Sequence, residues 1–399
     1  MKRAYIVHAK RTAIGKLNGK LSSVRVDDLL AHVFTDIKNT IKFDPKLIDD
    51  VIVGCANQAG EDNRNVARMA VILAGLPMAV PGTTINRLCG SSLDALIDGA
   101  ARIQAGMADC LIIGGAESMT RAPYVISKAG EAFGRDQKMF DTTLGWRFPN
   151  SKMEKMFPLF TMGETAEEVA TMYNISRDEQ DAFAMNSHKK AIAAWDRGDF
   201  IDEVLPYTIE GKKESVVFSK DECPRADSTM EALGKLKPVF RKDGSVTAGN
   251  SSPMNDGASG LLLVSEEFMK AHNLTPMLEV TGAATRGVHP NTMGIGPIEA
   301  VKALMKRYSK KISDFDAIEL NEAFAAQSLG CIIGLELDQS KVNMNGGAIA
   351  IGHALGSSGT RIVTTLAHQM KKNKNLKEGL ATMCIGVGQG IAVSFKNCQ

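Results

Sequence analysis

Short apolar runs at 4–7, 51–53, 111–113, 261–264, 317–320, 381–385 and 391–395 are bounded by glycine or polar residues, the pattern of buried strands. Between many of them apolar residues recur at helical spacing. Leu93, Leu96, Ile97, Ala100 and Ile103 share one face, as do Ile362, Val363, Leu366 and Met370. Strand and helix in alternation predict an α/β fold with covered sheets. Both helices follow matching turns, Leu88-Cys89-Gly90-Ser91-Ser92 and Ala354-Leu355-Gly356-Ser357-Ser358, and both lead toward an apolar strand ending in glycines, at 110–115 and 384–390. The same order of turn, helix, strand and glycines, met twice, predicts a duplication.

From about 121 to 249 the texture changes to many Lys, Arg, Met and Phe residues with few strand-like runs, and this stretch reads as an insertion. Within it Ser176-Arg177-Asp178-Glu179 has the form of a capping box, which predicts a helix start. Its Met and Phe residues read as the core of a small lobe rather than as a ligand-contact surface. The N-terminus, Met1 to Val7, reads as a first strand without the apolar core of a signal peptide.

With 399 residues the chain has length for two or three domains. Its net charge of +2 lacks the basic excess of a nucleic-acid binder, and no stretch approaches the ~20 unbroken apolar residues of a membrane span. The seven cysteines are odd in number and contain no CxxC pair, which argues against a disulfide framework or a tetrathiolate zinc site and predicts a reducing, cytoplasmic setting.

Three segments carry candidate chemistry. Cys89 precedes a helix start, where free amides and the helix dipole would stabilise a thiolate; the bland alternative is an inert buried cysteine. Asn345 to Gly359 is dense in glycine, lets backbone approach another object closely, and presents one imidazole, His353, as a candidate base for that thiol. Met383 to Gly390 resembles a dinucleotide loop only superficially, because too little chain follows for the required helix and strand. There Cys384 is a candidate second acid/base, with the Gly386 amide as an oxyanion donor. Asn321-Glu322-Ala323-Phe324 adds an amide and a carboxylate at a strand end.

Taken together these residues resemble the thiolase family, the acetyl-CoA C-acyltransferases, from end to end: Asn86 to Ser91 the nucleophile motif, Asn321 to Phe324 the Asn-Glu-Ala-Phe box, Gly346 to Gly359 the histidine motif, and Cys384-Ile385-Gly386 the second-cysteine motif. The resemblance implies a duplicated five-layered α-β-α-β-α core. Its N-terminal half would be residues 1–120, completed by about 250–272, its C-terminal half 273–399, and the inserted loop domain at 121–249 would bind coenzyme A. It further implies CoA-dependent cleavage of a 3-oxoacyl-CoA, or the reverse condensation, through an acyl-cysteine. In that scheme Cys89 is the nucleophile, His353 its activator and Cys384 the acid/base at the α-carbon. Asn321, through a water, and His353 hold one oxygen; the Cys89 and Gly386 amides hold the other. Arg225 and Ser252 take the adenine- and pantetheine-contacting positions, and Met162 and Phe324 complete the expected contacts with coenzyme A. No metal and no tightly bound cofactor are expected, CoA being a substrate, and a homodimer or homotetramer is implied, with the glycine-rich tract from Gly114 to Tyr124 near the partner.

Within the family, Gly60 to Arg68, Asp141 to Phe148 and Cys384 to Gly388 resemble the 3-oxoadipyl-CoA thiolase branch. Thr161 also stands where short-chain biosynthetic members place a histidine. Two positions depart from the family pattern: Ala354 replaces the proline usual after the catalytic histidine, and His289 replaces an acidic or small residue. The alternatives are a biosynthetic acetoacetyl-CoA thiolase, a cysteine hydrolase built on Cys89 and His353, and a CoA-binding subunit without turnover.

Overall fold

Each apolar run lies in a strand, and most of the strands are longer than their apolar stretch. The computed structural model describes residues 2–399. Its first half is built from β1 (Ala4–Thr12), β2 (Asp50–Gly54), β3 (Thr83–Ile85), β4 (Cys110–Ser118) and β5 (Asn255–Ser265), its second from β6 (Leu278–Gly287), β7 (Ala317–Leu320), β8 (Glu378–Ile385) and β9 (Gln389–Asn397). The polar sequence at the end of β1 stays in the sheet because Arg11, fully buried, is held by Glu203 at 2.6 Å and by both oxygens of Asp221 at 2.8 and 3.0 Å. The two carboxylates offset the cost of burying this guanidinium.

The duplication is visible in the topology. β1 pairs antiparallel with β5, β5 antiparallel with β4, β4 parallel with β2, and β2 parallel with β3. β6, β9, β8 and β7 repeat that order and those directions, with Val342 bridging Ile318 in parallel where β3 would stand. Two residue pairs, Tyr5 with Glu279 and Ile6 with Leu278, join the halves. The apolar-run pattern misses β6, whose Gly, Ala and Thr residues carry little hydrophobic signal, and β3, a half-buried strand of three residues.

Alternate residues of the strands separate the layers. Val51, Val53, Ile112 and Leu262 pack under α1 (Val26–Thr40) and α2 (Val66–Leu73), while Ile52, Leu111, Ile113 and Leu261 face α3 (Ser91–Gln104). In the intervening segment lie α4 (Met162–Met172) and α5 (Arg177–Asp196). The outer face of the second half is covered by α6 (Gly296–Tyr308) and α7 (Ala325–Leu335), and α8 (Ser358–Lys372) lies beside α3 in the middle layer. Helix, sheet, paired helices, sheet and helix are the five layers.

The glycines at 114 and 115 do not leave the strand, as their place in the sequence suggests. They lie inside β4, where Gly114 sits against Phe34 and a Cβ on Gly115 would come within 2.5 Å of the Gly356 carbonyl oxygen. Gly115 lets the two middle helices meet: the Thr360 N–H donates to Ser92 Oγ at 3.0 Å.

Between β4 and β5 the capping box at Ser176 forms with Glu179 and starts α5. The expected apolar core forms in part: Phe200 and Phe218 are buried, and Met162 and Phe240 pack on a small cluster with Ala166 and Val246, whereas Phe133, Met139, Phe148 and Met156 are exposed around the two-stranded hairpin of Tyr124–Ile126 and Met139–Asp141.

Candidate active site

Cys89 lies in the turn between β3 and α3, and local hydrogen bonds shape that turn. Asn86 Oδ1 accepts the Leu88 N–H at 2.9 Å, while Ser91 Oγ accepts the Arg87 N–H at 2.9 Å and donates to the Leu88 carbonyl at 2.6 Å. Leu88 is thereby held at φ 49°, a left-handed conformation that costs a leucine on the order of 1–3 kcal/mol and is kept only where the surroundings impose it. Gly90 seats the turn on the end of β8, since a Cβ there would lie 2.5 Å from Ile385 Cδ1. Cys89 is therefore set beside Cys384-Ile385-Gly386. The β8–β9 turn repeats the strain, with Val387 at φ 62° and Gly388 at φ 82°.

The imidazole is placed by the glycine-dense segment. Gly352 has φ 118° and packs on the Asn255 carboxamide, whose Oδ1 accepts the His353 N–H at 2.8 Å. Gly347 leaves space for Glu322, a buried carboxylate that accepts from Ser187 Oγ at 2.6 Å, Asn343 Nδ2 at 2.8 Å and the Ile349 N–H at 3.2 Å. Glu322 is thus a brace for the histidine segment rather than a reacting group.

His353 Nδ1 lies 2.6 Å from Ser358 Oγ, and that hydroxyl donates to the Ala354 carbonyl at 3.1 Å. The network assigns the ring proton to Nδ1 and leaves Nε2 as an acceptor, with Asn321 Nδ2 at 3.5 Å. Burial, reinforced by the Arg361 charge, pushes the imidazole down to about 3, so it is neutral at physiological pH. Ala354 has φ −76°, a value that proline would impose, so its presence leaves the turn unchanged. His289 accepts the Asn291 N–H at 3.2 Å and caps a short helical turn.

One expectation from the sequence reverses. The helix start was predicted to favour a Cys89 thiolate, but burial pushes the thiol up to about 11, even though the Gly386 and Cys89 amides pull it down. Desolvation outweighs the helix terminus. Cys384 is buried and raised well above the ordinary range, by burial first and the neighbouring Cys89 second. Both sulfurs are therefore held toward the thiol form.

Cys89, His353, Cys384 and Gly386 all line one cavity of about 320 Å³, together with Met162, Ser252 and Phe324. Asn321 sits behind His353, and its Oδ1 is buried without a partner. Arg225 is not part of the lining: its side chain is exposed, and its backbone N–H donates to His188 Nδ1 at 3.2 Å. Leu88, Asn57, Val387 and the loop 142–147 also line the cavity and were not singled out as site residues, although 141–148 carried part of the family resemblance. Among the described residues no helix is long and apolar enough to cross a membrane, and no group of three His, Cys, Asp or Glu side chains is placed to hold a metal ion.

Comparison with known proteins places this geometry. Residues 4–267 match the family model "Thiolase, N-terminal domain" and 274–397 match "Thiolase, C-terminal domain". The chain is 50% identical to the beta-ketoadipyl-CoA thiolase of Pseudomonas aeruginosa, over 99% of each sequence. It is also 50% identical to the 3-oxoadipyl-CoA/3-oxo-5,6-dehydrosuberyl-CoA thiolase of Escherichia coli K12, over 98% of this chain and 99% of the other. A solved structure, the Bacillus anthracis acetyl-CoA acetyltransferase, superposes with a TM-score of 0.93 at 39% identity, covering 100% of this chain and 99% of the other.

Proposed function

The chain belongs to the thiolase family, acyltransferases that cleave a 3-oxoacyl-CoA with CoA, and from that premise we propose that it acts on 3-oxoadipyl-CoA through Cys89, His353 and Cys384. The observation that carries this reading is the convergence of two thiols, a neutral imidazole and the Gly386 amide on one cavity.

His353 Nε2 takes the Cys89 proton as sulfur attacks the C3 carbonyl. The bond between C2 and C3 then breaks, Cys384 gives its proton to C2, and acetyl-CoA departs, leaving succinyl-Cys89. CoA enters, yields its thiol proton to Cys384, and attacks the thioester. Cys89 leaves and recovers its proton from His353. The Cys89 and Gly386 amides hold one developing oxyanion; His353 and Asn321, through a water, hold the other. A hydrolase needs no second thiol on the same cavity, and Cys384 is what favours carbon–carbon chemistry.

The segment 121–249 is the CoA-binding lobe in this scheme, inserted into an N-terminal half of 1–120 and about 250–272 and followed by the C-terminal half 273–399. Ser252 and Met162 contact pantetheine, Phe324 closes the cavity beside them, and Arg225, exposed and without an ion pair among the described residues, stacks on adenine. The protein works as a homodimer or homotetramer, and seven free cysteines suit the cytoplasm. Thiolysis efficiencies on acetoacetyl-CoA, 3-oxooctanoyl-CoA and 3-oxoadipyl-CoA test the substrate assignment. Preference for the last supports it, and preference for acetoacetyl-CoA overturns it.

A further inference from the structure

We propose that Arg147 binds the terminal carboxylate of the acyl chain and is the residue that makes the cavity select dicarboxylic 3-oxoacyl-CoA substrates; this rests on the thiolase reading above. Arg147 lines the same cavity as Cys89, and among the residues lining it no other side chain is ionised. Arg87, Arg121 and Arg241 are tied to Asp94, Glu61 and Glu168, whereas Arg147, half-buried, has no ion pair among the described residues. Asp62, the acidic group whose charge is felt alongside it, is buried and turned to the Gly60 N–H at 3.1 Å. An unpaired guanidinium in a largely apolar cavity loses hydration with nothing in return, unless an anion arrives with the substrate.

The loop that carries Arg147 is fixed. Thr142 Oγ1 donates to the Pro123 carbonyl at 2.6 Å and accepts from Asn57 Nδ2 at 3.0 Å, and Trp146 Nε1 donates to the Phe160 carbonyl at 3.0 Å. Gly145, at φ 89°, makes the turn between them. Cleavage of 3-oxoadipyl-CoA leaves a succinyl group on Cys89, whose carboxylate stands two methylenes beyond the thioester. A short acyl chain ending in an anion thus meets an arginine held at the wall of its own cavity, and the planar fork suits a carboxylate.

The test uses the full-length enzyme and two substrates of equal carbon number, 3-oxoadipyl-CoA and 3-oxohexanoyl-CoA, of which the first alone has a charged tail. The readout is the ratio of their kcat/KM values, which cancels general damage. In Arg147→Gln that ratio falls by about 10- to 100-fold, carried by the 3-oxoadipyl-CoA value, as loss of a charge-assisted contact requires. Arg147→Lys falls between. A ratio within twofold of wild type overturns the assignment, as does an equal loss on both substrates, which contact with the CoA phosphates would produce. A wild-type ratio of one or less overturns the dicarboxylate reading itself and this assignment with it; a high ratio that survives Arg147→Gln overturns the assignment alone.

Discussion

Ser358→Ala isolates the claim that His353 is a base because its proton is held on Nδ1. In the native network the Nδ1 proton goes to Ser358 Oγ at 2.6 Å, and the hydroxyl is itself committed to the Ala354 carbonyl at 3.1 Å. Removing that oxygen orphans a buried N–H, which costs about 1–3 kcal/mol. The ring can escape the cost by moving its proton to Nε2, where the Asn321 carboxamide, after a turn of its amide, offers the buried oxygen that now lacks a partner. That tautomer cannot take the Cys89 proton. A shift of about 1–3 kcal/mol moves the ratio of the working tautomer to the other by about 5- to 150-fold, and the acylation rate falls with the working tautomer's share. Rapid-quench measurement of acyl transfer from acetoacetyl-CoA to Cys89 reads this step directly. The loss falls on kcat with little change in the KM for CoA, and Ser358→Thr, which keeps the hydroxyl, recovers most of it. Acylation by Ser358→Ala within twofold of wild type would show that Ser358 does not set the tautomer of the working base.

Three further outcomes follow from the same geometry. Gly352→Ala places a side chain at φ 118°, against the Asn255 carboxamide, so urea unfolding should show a loss of about 1–3 kcal/mol and kcat should drop at least about tenfold as His353 loses its amide anchor. His353→Ala should slow iodoacetamide alkylation of Cys89 at neutral pH, with the rate recovering only as pH climbs toward the thiol's value of about 11; equal rates in both enzymes would contradict the role of the imidazole. Because His353 titrates near 6.5 when unfolded and about 3 when folded, the unfolded chain takes up a proton that the folded chain refuses between those values. Stability therefore falls as pH drops through that window, by up to about 1.4 kcal/mol per pH unit from this group, and His353→Gln should lose less stability than wild type between pH 7 and 5.

Much of the architecture could be read from the chain because the duplicated elements carry the same signal twice. The Leu93 and Ile362 helices announce themselves by period, and the Gly90 and Gly356 turns by composition. What stayed hidden depends on contacts between distant segments. The thiol of Cys89 rises rather than falls because it stands, half-buried, in a cavity whose walls come from both halves of the fold, and no local helix-terminus argument contains that setting. Gly115 is explained by the Gly356 carbonyl of the other half, not by its own neighbourhood. Glu322 looks like chemistry in a strand-end motif and proves to be a brace only once Ser187 and Ile349 are seen around it. Arg147 is one arginine in a loop until the cavity is drawn, and only then does its lack of a partner acquire meaning.

Cys384→Ala should lose condensation outright, since the α-carbon loses its base, and should slow acylation of Cys89 by acetyl-CoA, since CoA must then leave as its thiolate; condensation at the wild-type rate would assign the α-carbon proton to another group.

Cleavage of 3-oxoadipyl-CoA through an acyl-cysteine is put to the test by mixing the enzyme with 3-oxoadipyl-CoA in the absence of free CoA and following intact mass and released acetyl-CoA. One acetyl-CoA should be released per active site, with a succinyl increment that maps to the peptide containing Cys89, both absent in Cys89→Ser. A succinyl group on another residue, or acetyl-CoA released in full by Cys89→Ser, would contradict it.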